Sequence, residues 1–232
     1  KVLHTQDIDN MLKTRHPYKR WLRDNARYIE GSFEGESAPG ISESELDTYQ
    51  KMFQVSFEER DQVLRPLAES GNEAVGSMGD DTPLAVLSAK DRSLYDYFRQ
   101  KFAQVTNPPI DPLRESIVMS LEVDLGREGN IFAEIEEHAC RVGLTSPVLS
   151  QGKFNTLLNI EDEKLKIADI DATYDPENGN LRSAVEGLCL TAETAVRGGA
   201  TILILSDRQI GESRLPIHSL LATGAVHHHL IR

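Results

Sequence analysis

Ser206, Asp207 and Arg208 are the residues whose types and position best suit chemistry. They directly follow TILIL, a short continuous apolar run that predicts a strand buried on both faces. In α/β proteins, ligands and functional loops gather at the carboxyl ends of such strands. Asp207 and Arg208 could bind a ligand there, or they could form an ion pair that fixes the next helix. The sequence leaves both roles open.

Cysteine and histidine give weaker signals. Cys140 follows His138 by two residues, so a strand would place both side chains on one face, and a Cys–His pair can build a nucleophile. Cys140 and Cys189 both lie within apolar runs, however, and we predict buried structural thiols. His227–His229 are consecutive, and neighbours on a helix point about 100° apart, so the three cannot face one metal ion. We predict no catalytic, cofactor-binding or metal site in the chain.

Two further stretches need comment. Asp80 and Asp81 could bind a cation or act as an acid–base pair, but they stand in a Gly-rich stretch before Thr82-Pro83, which favours a turn and helix-cap role. FAQVTNPPIDPLRESIVMSL, residues 102–121, holds three prolines in five residues. Asp111 suits an N-cap and Pro112 a first helical position, so a rigid corner there leads into a helix.

Composition limits the classes of partner. The 232 residues carry a formal net charge of −12 with a pI of about 5.0, so we expect neither nucleic acid nor an anionic membrane as partner. Two cysteines fit a reducing compartment, and no apolar run approaches the roughly 18–20 residues of a membrane span. Residues 1–30 are net basic although the whole chain is acidic, since they contain seven Lys/Arg against four Asp/Glu. This basic arm should dock on an acidic surface, which could belong to its own domain.

The elements that must position these residues change in character along the chain. Residues 5–30 predict helix, broken near His16-Pro17, and residues 31–42 have linker composition. Ser42 with Glu45 and Ser56 with Glu59 predict two capped helices, and a third should begin near Asp91. Further on, strand and helix patterns alternate along the chain, over residues 166–175, 180–199, 201–206 and 216–231. The sequence thus predicts a helical N-terminal arm followed by a parallel α/β layer.

Longer matches suggest a family. The block Ser77–Leu121, which includes MGDDTPLAVLS and FAQVTNPPIDPLRE, resembles the central domain of the glutamate synthase large subunit. ILSDR at 204–208 and RLPIHSLLATGAVHHHLIR at 214–232 resemble its passage toward the flavin domain. HPYKRWLRDN at 16–25 resembles the segment just after the amidotransferase domain. With no initiator Met and a helical pattern running to Arg232, we expect a piece of a longer protein, divided as a linker arm (1–41) and a central domain (42–232).

The resemblance implies a fold and a role. The fold would be α/β, similar to a rudimentary flavin-type, TIM-like barrel. The parent enzyme would convert glutamine and 2-oxoglutarate to two glutamates, using FMN and a 3Fe-4S cluster that lie outside this fragment. Its partners would be the amidotransferase and FMN domains of the same chain, and either an NADPH-dependent small subunit or ferredoxin. The location would be the cytoplasm, or the plastid for a plant-type parent, and the fragment alone would be inactive.

The same resemblance implies a connecting domain that helps to wall an ammonia tunnel. We expect Thr106, Asn107, Asn130 and Ile131 to lie near this passage, and Asp207 and Arg208 to make interdomain contacts. A purely structural role, in which these residues only stabilise the local fold, explains the same pattern equally well. The rival hypothesis is a free-standing α/β module in which Asp207, Arg208 and Arg114 hold a small anionic ligand.

Overall fold

A computed structural model describes residues 2–29, 40–71, 85–98 and 120–232. The chain divides into two compact units, one formed by residues 1–36 and 120–232 and the other by residues 37–119. Thr106, Asn107, Arg114, Asp80, Asp81 and the proline corner lie outside the described residues.

The described α-helices are named in chain order: α1 (Thr5–Arg15), α2 (Tyr18–Asn25), α3 (Glu43–Met52), α4 (Phe57–Glu59), α5 (Arg65–Ser70), α6 (Gln151–Leu158), α7 (Leu181–Arg197) and α8 (Ser219–Leu230). Short 3₁₀ helices cover Leu94–Tyr97 and Glu136–Ala139. The described strands are β1 (Arg27–Tyr28), β2 (Val123–Leu125), β3 (Val142–Leu144), β4 (Ile167–Asp171), β5 (Thr173–Tyr174), β6 (Ile202–Ser206) and β7 (Leu215–Pro216).

A parallel strand pair forms the centre of the first unit. β4 and β6 pair in parallel from Ile167 opposite Ile202 to Asp171 opposite Ser206, and α7 is the helix that connects them along the chain. α7 begins because Asn180 accepts a hydrogen bond from the Ser183 backbone N–H at 3.0 Å. It ends at Gly198, and Gly199 follows with φ +92, which glycine adopts without a steric penalty. The predicted order of strand, helix, strand and helix is confirmed.

Two hydrophobic clusters hold this unit together. The first lies among β4, β5, α7, β7 and α8 and contains Ile170, Ala172, Leu188, Cys189, Ala192, Ile217, Ala222 and Val226. The second contains Ile29, Cys140, Val142, Leu144, Leu157 and Leu165. Ile167 and Ile202, where β4 and β6 begin, pack against the second cluster, whereas Leu203 and Leu205 pack against the first. The β4–β6 pair therefore contributes to both.

The remaining strands form small sheets. β3 pairs in parallel with β1 and antiparallel with β2, while β5 pairs antiparallel with β7. The predicted α/β class is confirmed, but the described sheets are small and combine parallel with antiparallel pairs instead of forming one parallel layer. No closed barrel is present among the described residues, so the resemblance to a flavin-type barrel stays a prediction.

Most of residues 43–70 of the second unit are helical, whereas the described residues 85–98 contain only the 3₁₀ helix Leu94–Tyr97, where the sequence predicted a longer helix from about Asp91. Ser42 and Glu45 form the predicted capping box at the start of α3, and the Ser56 hydroxyl accepts from the Glu59 backbone N–H at 3.1 Å. Between α4 and α5, Arg60–Leu64 form a π-helical turn. Pro66 follows in α5, where its ring has no N–H and would crowd the carbonyl four residues earlier in a regular helix. The wider turn relieves that conflict.

Two local expectations are wrong. The arm is helical only to Asn25, because Arg27–Tyr28 pair as β1 with β3, about half the chain away. β6 is half-buried along its whole length rather than buried on both faces. His138 and Cys140, for which the sequence left a strand open, are not on one, since Glu136–Ala139 form a 3₁₀ turn.

Candidate functional site

A tight turn at residues 130–133 presents two large apolar side chains to solvent. The Ala133 backbone N–H donates to the Asn130 carbonyl at 2.9 Å, and the Asn130 Oδ1 accepts from the Phe132 backbone N–H at 3.0 Å. Asparagine often stabilises turns through its own backbone in this way. Ile131 is 84% exposed and Phe132 is 89% exposed. The sequence singled out Asn130 and Ile131, and the structure shows both within this one turn.

Glu134 joins the turn to the arm. Its Oε1 accepts from Arg15 Nη1 at 2.7 Å, its Oε2 accepts from the Tyr18 hydroxyl, and His16 Nε2 lies 3.8 Å from Oε2. The carboxylate raises the pKa of Tyr18, chiefly by accepting the hydrogen bond that deprotonation would remove. One side chain thus fixes the junction between α1 and α2 against the loop before the 3₁₀ turn.

Beside the turn is a cleft of about 290 Å³. Trp21 is central to its arm side: the Tyr18 ring contacts it edge-on at 5.6 Å between centroids, and His16 stacks on it at 5.2 Å. The cleft is lined by Tyr18, Trp21, Leu22, Ile131, Ala133, Glu134, Ile135, His138 and Ala139. The lining is mostly apolar, so the cleft suits an apolar side chain better than a charged ligand.

His138 and Cys140 do not form the nucleophilic pair that their spacing allows. His138 Nε2 is buried and has no hydrogen-bond partner within the described residues. A Cβ added at Gly129 would lie 2.5 Å from that nitrogen, so a larger residue there would force the His138 ring to shift. Burial raises the pKa of the Cys140 thiol, and it does the same for Cys189. Both buried thiols stay protonated at neutral pH, as structural cysteines do.

Arg208 is occupied by protein groups at the carboxyl end of β6. Its guanidinium carbon lies 4.5 Å from the Phe154 ring centroid, and its Nη2 donates to Gln151 Oε1 at 3.1 Å. This cation–π contact secures the loop after β6 to α6. Asp207 is half-buried, and its backbone carbonyl accepts from the Ile210 N–H at 3.2 Å.

At the same edge, Arg214 is held by β4 and β5. It donates through Nη2 to Asp171 Oδ2 at 2.5 Å and through Nε to Thr173 Oγ1 at 2.8 Å. Asp171 lies opposite Ser206 in the β4–β6 register. Because Arg208 and Arg214 are both engaged by side chains of the protein, an anionic ligand at this edge would have to displace existing contacts.

Two searches of the described residues found no candidate, one for metal-binding clusters and one for membrane-spanning helices. No cluster of three or more His, Cys, Asp or Glu residues among them could hold a metal ion. Among the helices that the structure describes, none combines the length and apolar composition needed to cross a membrane.

Sequence reasoning found part of this arrangement. It did not find Glu134 as the residue that holds the arm, because its partner Arg15 is 119 positions away and neither residue belongs to a motif. It also missed the cleft at Trp21 and the pairing of Asp171 with Arg214. The tryptophan in HPYKRWLRDN was the available signal, since a large aromatic on a basic arm is well suited to docking.

The architecture defines a mixed α/β domain that contains the parallel β4–β6 strand pair. Compared with known families, residues 48–232 match the model of the glutamate synthase central domain, and the chain belongs to this family.

Whole-chain similarity agrees. The chain is 42% identical to the glutamate synthase [NADPH] large chain of Azospirillum brasilense over 238 aligned positions. It is 41% identical to the chloroplastic ferredoxin-dependent glutamate synthase of Oryza sativa and 38% identical to the glutamate synthase [NADPH] large chain of Bacillus subtilis. Each comparison covers 100% of this chain but only 14–16% of the relative. The chain therefore spans about a seventh of the length of these relatives.

Proposed function

We propose that this chain is the central connecting domain of a glutamate synthase, joining a glutamine amidotransferase domain to an FMN-binding barrel. The match of residues 48–232 to the central-domain family carries this proposal. The relatives are glutamate synthases six to seven times as long, so a domain of this size leaves room for separate catalytic units. In this proposal the domain has no catalytic activity of its own.

Cofactors and electron donors belong to the parent enzyme. FMN and a 3Fe-4S cluster would be held outside this chain, whose two buried cysteines cannot supply three cluster thiolates. The relatives include NADPH-dependent and ferredoxin-dependent enzymes, so the electron donor would be an NADPH-dependent subunit or ferredoxin. The compartment would be the cytoplasm, or the plastid if the parent is of the plant type.

The second part of the proposal concerns ammonia. Ammonium predominates in neutral water and cannot attack a carbonyl, so a closed passage between the two catalytic sites keeps the nucleophile neutral and prevents its loss. The walls of such a passage must hold their position closely. The Asn130 turn meets that requirement, because a backbone bond and a side-chain bond both fix it. We propose Asn130 as polar lining and Ile131 as an apolar constriction, with Thr106 and Asn107 beside the same passage.

Variants at residue 130 in the full-length polypeptide test this role. Asn130→Phe should lower glutamine-dependent glutamate formation about tenfold relative to glutamine hydrolysis, a loss of about 1.4 kcal/mol in coupling, whereas synthesis from added ammonium should persist. Asn130→Asp is the matched control, since it keeps the Oδ1 acceptor and the size. An unchanged ratio of synthesis to hydrolysis in Asn130→Phe would show that residue 130 does not line the passage.

The interdomain role of Asp207 and Arg208 is the third part. Arg208 rests on Phe154 and Gln151, so the loop after β6 is held in one position on the surface. A fixed loop with one exposed guanidinium can contact a neighbouring domain without first being ordered. In this proposal the loop braces the flavin domain rather than binding a small anion.

A further inference from the structure

The run His227–His229 has no part in the function proposed above, and its three rings differ in their surroundings. His227 and His228 are exposed, and their rings contact each other edge-on at 5.5 Å between centroids. His229 is half-buried instead, and its Nε2 lies 2.8 Å from Glu193 Oε2. The ring of His229 therefore connects the last turn of α8 to α7.

Glu193 uses its two carboxylate oxygens for different partners. Oε1 accepts from Arg197 Nε at 2.8 Å, one turn further along α7, while Oε2 faces His229. The hydrogen bonds to Arg197 and then to His229 lower the pKa of Glu193, so this carboxyl stays ionised over the range in which histidine ordinarily changes its charge. A change of charge at this contact between about pH 5 and pH 8 therefore falls on the imidazole.

The charges around His229 act in opposite directions. The Glu193 carboxylate favours the imidazolium, and so does the negative end of the helix dipole, because His229 lies in the last turn of α8. Arg197 opposes it, but its guanidinium is bound to the other carboxylate oxygen and is 78% exposed. β6, which also packs against α8, has no titratable side chain, and Arg232 is exposed beyond the end of the helix. The charge at hydrogen-bond distance is thus the one that favours protonation.

The end of α8 has little else to hold it. Ala222 and Val226 anchor the middle of the helix in the first hydrophobic cluster. Among residues 227–232, His229 is half-buried and the other five are exposed. Helix ends without buried apolar contacts fray readily. The strength of the contact between His229 and Glu193 should therefore decide how often the last turn opens.

We propose that His229 is a pH-sensitive tie that holds the last turn of α8 on α7. The neutral ring shares one hydrogen bond with Glu193, and the gain of a proton places a full positive charge beside the carboxylate, which strengthens that bond. Because the native contact favours the charged ring, the tie is stronger on the acid side of the histidine titration and weakens as the pH rises through it. When the pH falls further, toward the depressed pKa of Glu193, the carboxylate is protonated and the tie is lost. This proposal goes beyond the connecting role and does not depend on it.

Hydrogen exchange in the full-length polypeptide tests the tie. Amide exchange of α8 peptides is followed by mass spectrometry at pH 5.5 and at pH 8, in the wild type and in His229→Gln, whose neutral amide keeps a hydrogen-bond donor at both pH values. After correction for intrinsic rates, the last turn should exchange about threefold faster in His229→Gln than in the wild type at pH 5.5, and equally fast at pH 8. Equal rates at both pH values, or the same ratio at both, would overturn the proposal.

Three further variants identify the partner. Glu193→Gln should abolish the pH dependence, because a neutral amide does not favour the imidazolium. Arg197→Gln removes the other partner of the same carboxylate and should retain the pH dependence. His228→Gln is the matched control on α8, since this ring is exposed, and it should behave as the wild type. A pH dependence that persists in Glu193→Gln, or that disappears in His228→Gln, would assign the effect to another group and contradict the tie.

Discussion

Glu134 shows how much of this domain depends on single side chains. Its carboxylate is about one-third exposed, yet it accepts hydrogen bonds from Arg15 and Tyr18 and lies near His16. An isolated surface ion pair contributes little, because two flexible side chains lose freedom and water screens the charges. Several donors that converge on one carboxylate share that entropy cost, so this group should matter more than an ordinary surface pair.

The first prediction follows from that carboxylate. Glu134→Ala should loosen the arm by about 1 kcal/mol, since hydrogen bonds to a charged group are lost at a partly exposed site. Trp21 is the single tryptophan of the chain, so its fluorescence reports the arm. We expect a red-shifted emission and stronger acrylamide quenching, with little change in far-ultraviolet circular dichroism. Glu137→Ala, three positions further along, should leave the emission unchanged; an identical response in both variants would refute the role of Glu134.

The second prediction concerns pH and Asp162. The Lys164 backbone N–H and then the Arg27 guanidinium lower the pKa of Asp162. A carboxyl whose folded pKa is depressed stabilises the fold above its unfolded value of about 3.9, and that contribution is lost as the pH falls toward the folded pKa. Asp162→Asn should therefore be less stable than the wild type at pH 7, and the difference should shrink as the pH falls below about 4.

Urea unfolding at pH 7 and pH 3 measures this difference. Asp169→Asn, at an exposed position on β4, is the matched control for a lost negative charge. A gap between Asp162→Asn and wild type that stays constant with pH would mean that Asp162 acts through packing rather than through its charge.

At the scale of elements, two glycines have opposite effects on the stability of α7. The glycine inside the helix destabilises it, whereas the glycine that follows the helix has a positive φ, which other residues rarely adopt. Gly187 lies inside the helix with no atom within 4 Å of a built Cβ, and Gly199 follows the helix with φ +92. Inside a helix, glycine costs roughly 0.5–1 kcal/mol relative to alanine because it loses more backbone freedom on folding. At a positive φ the preference is reversed: a residue with a Cβ destabilises the fold by roughly 1–2 kcal/mol relative to glycine.

The third prediction uses both positions. Gly187→Ala should raise the free energy of unfolding by about 0.5–1 kcal/mol, and Gly199→Ala should lower it by about 1–2 kcal/mol. Each variant serves as the control for the other, because the same atoms are added near the same helix. The shift of the urea midpoint measures both. Two shifts of the same sign would show that neighbouring contacts, not backbone conformation, decide the effect.

Elements that carry their own signals were predictable from sequence. The capping box at Ser42, the start of α7 at Asn180 and its glycine end all follow from short-range hydrogen bonds and φ preferences. β4 and β6 were predictable because their apolar patterns are strong. β1 was not, since Arg27 and Tyr28 form a strand only by pairing with Val142 and Gly143. The cleft was unpredictable for the same reason, because it forms only when residues more than a hundred positions apart come into contact.

At the scale of the molecule, the two hydrophobic clusters of the first unit are linked through one strand pair. Ile167 and Ile202 pack on the cluster that contains Leu165, while Leu203 and Leu205 pack on the cluster that contains Leu188. Damage to one cluster should therefore be transmitted to the other, and the unit should unfold in a single transition.

The fourth prediction tests that linkage. Leu165 is 0% exposed, so Leu165→Ala should lower the free energy of unfolding by about 2–5 kcal/mol through lost contacts and the cavity left behind. Trp21 fluorescence and far-ultraviolet circular dichroism should shift together in urea. Leu190→Ala, on the exposed side of α7, should change stability by no more than about 0.5 kcal/mol. Two separate transitions in Leu165→Ala would show that the clusters unfold independently.

The first unit is assembled from two stretches of chain that flank the second, with Arg15 bound to a carboxylate 119 positions later. A ribosome adds roughly 5–20 residues per second, so Arg15 is synthesised about 6–24 s before Glu134. During that interval Trp21, Leu22 and the basic side chains around them have no native partner, while residues 37–119 can already begin to fold. The newly synthesised arm is thus a natural binding site for chaperones, and slowing translation between the two stretches should lengthen its exposure.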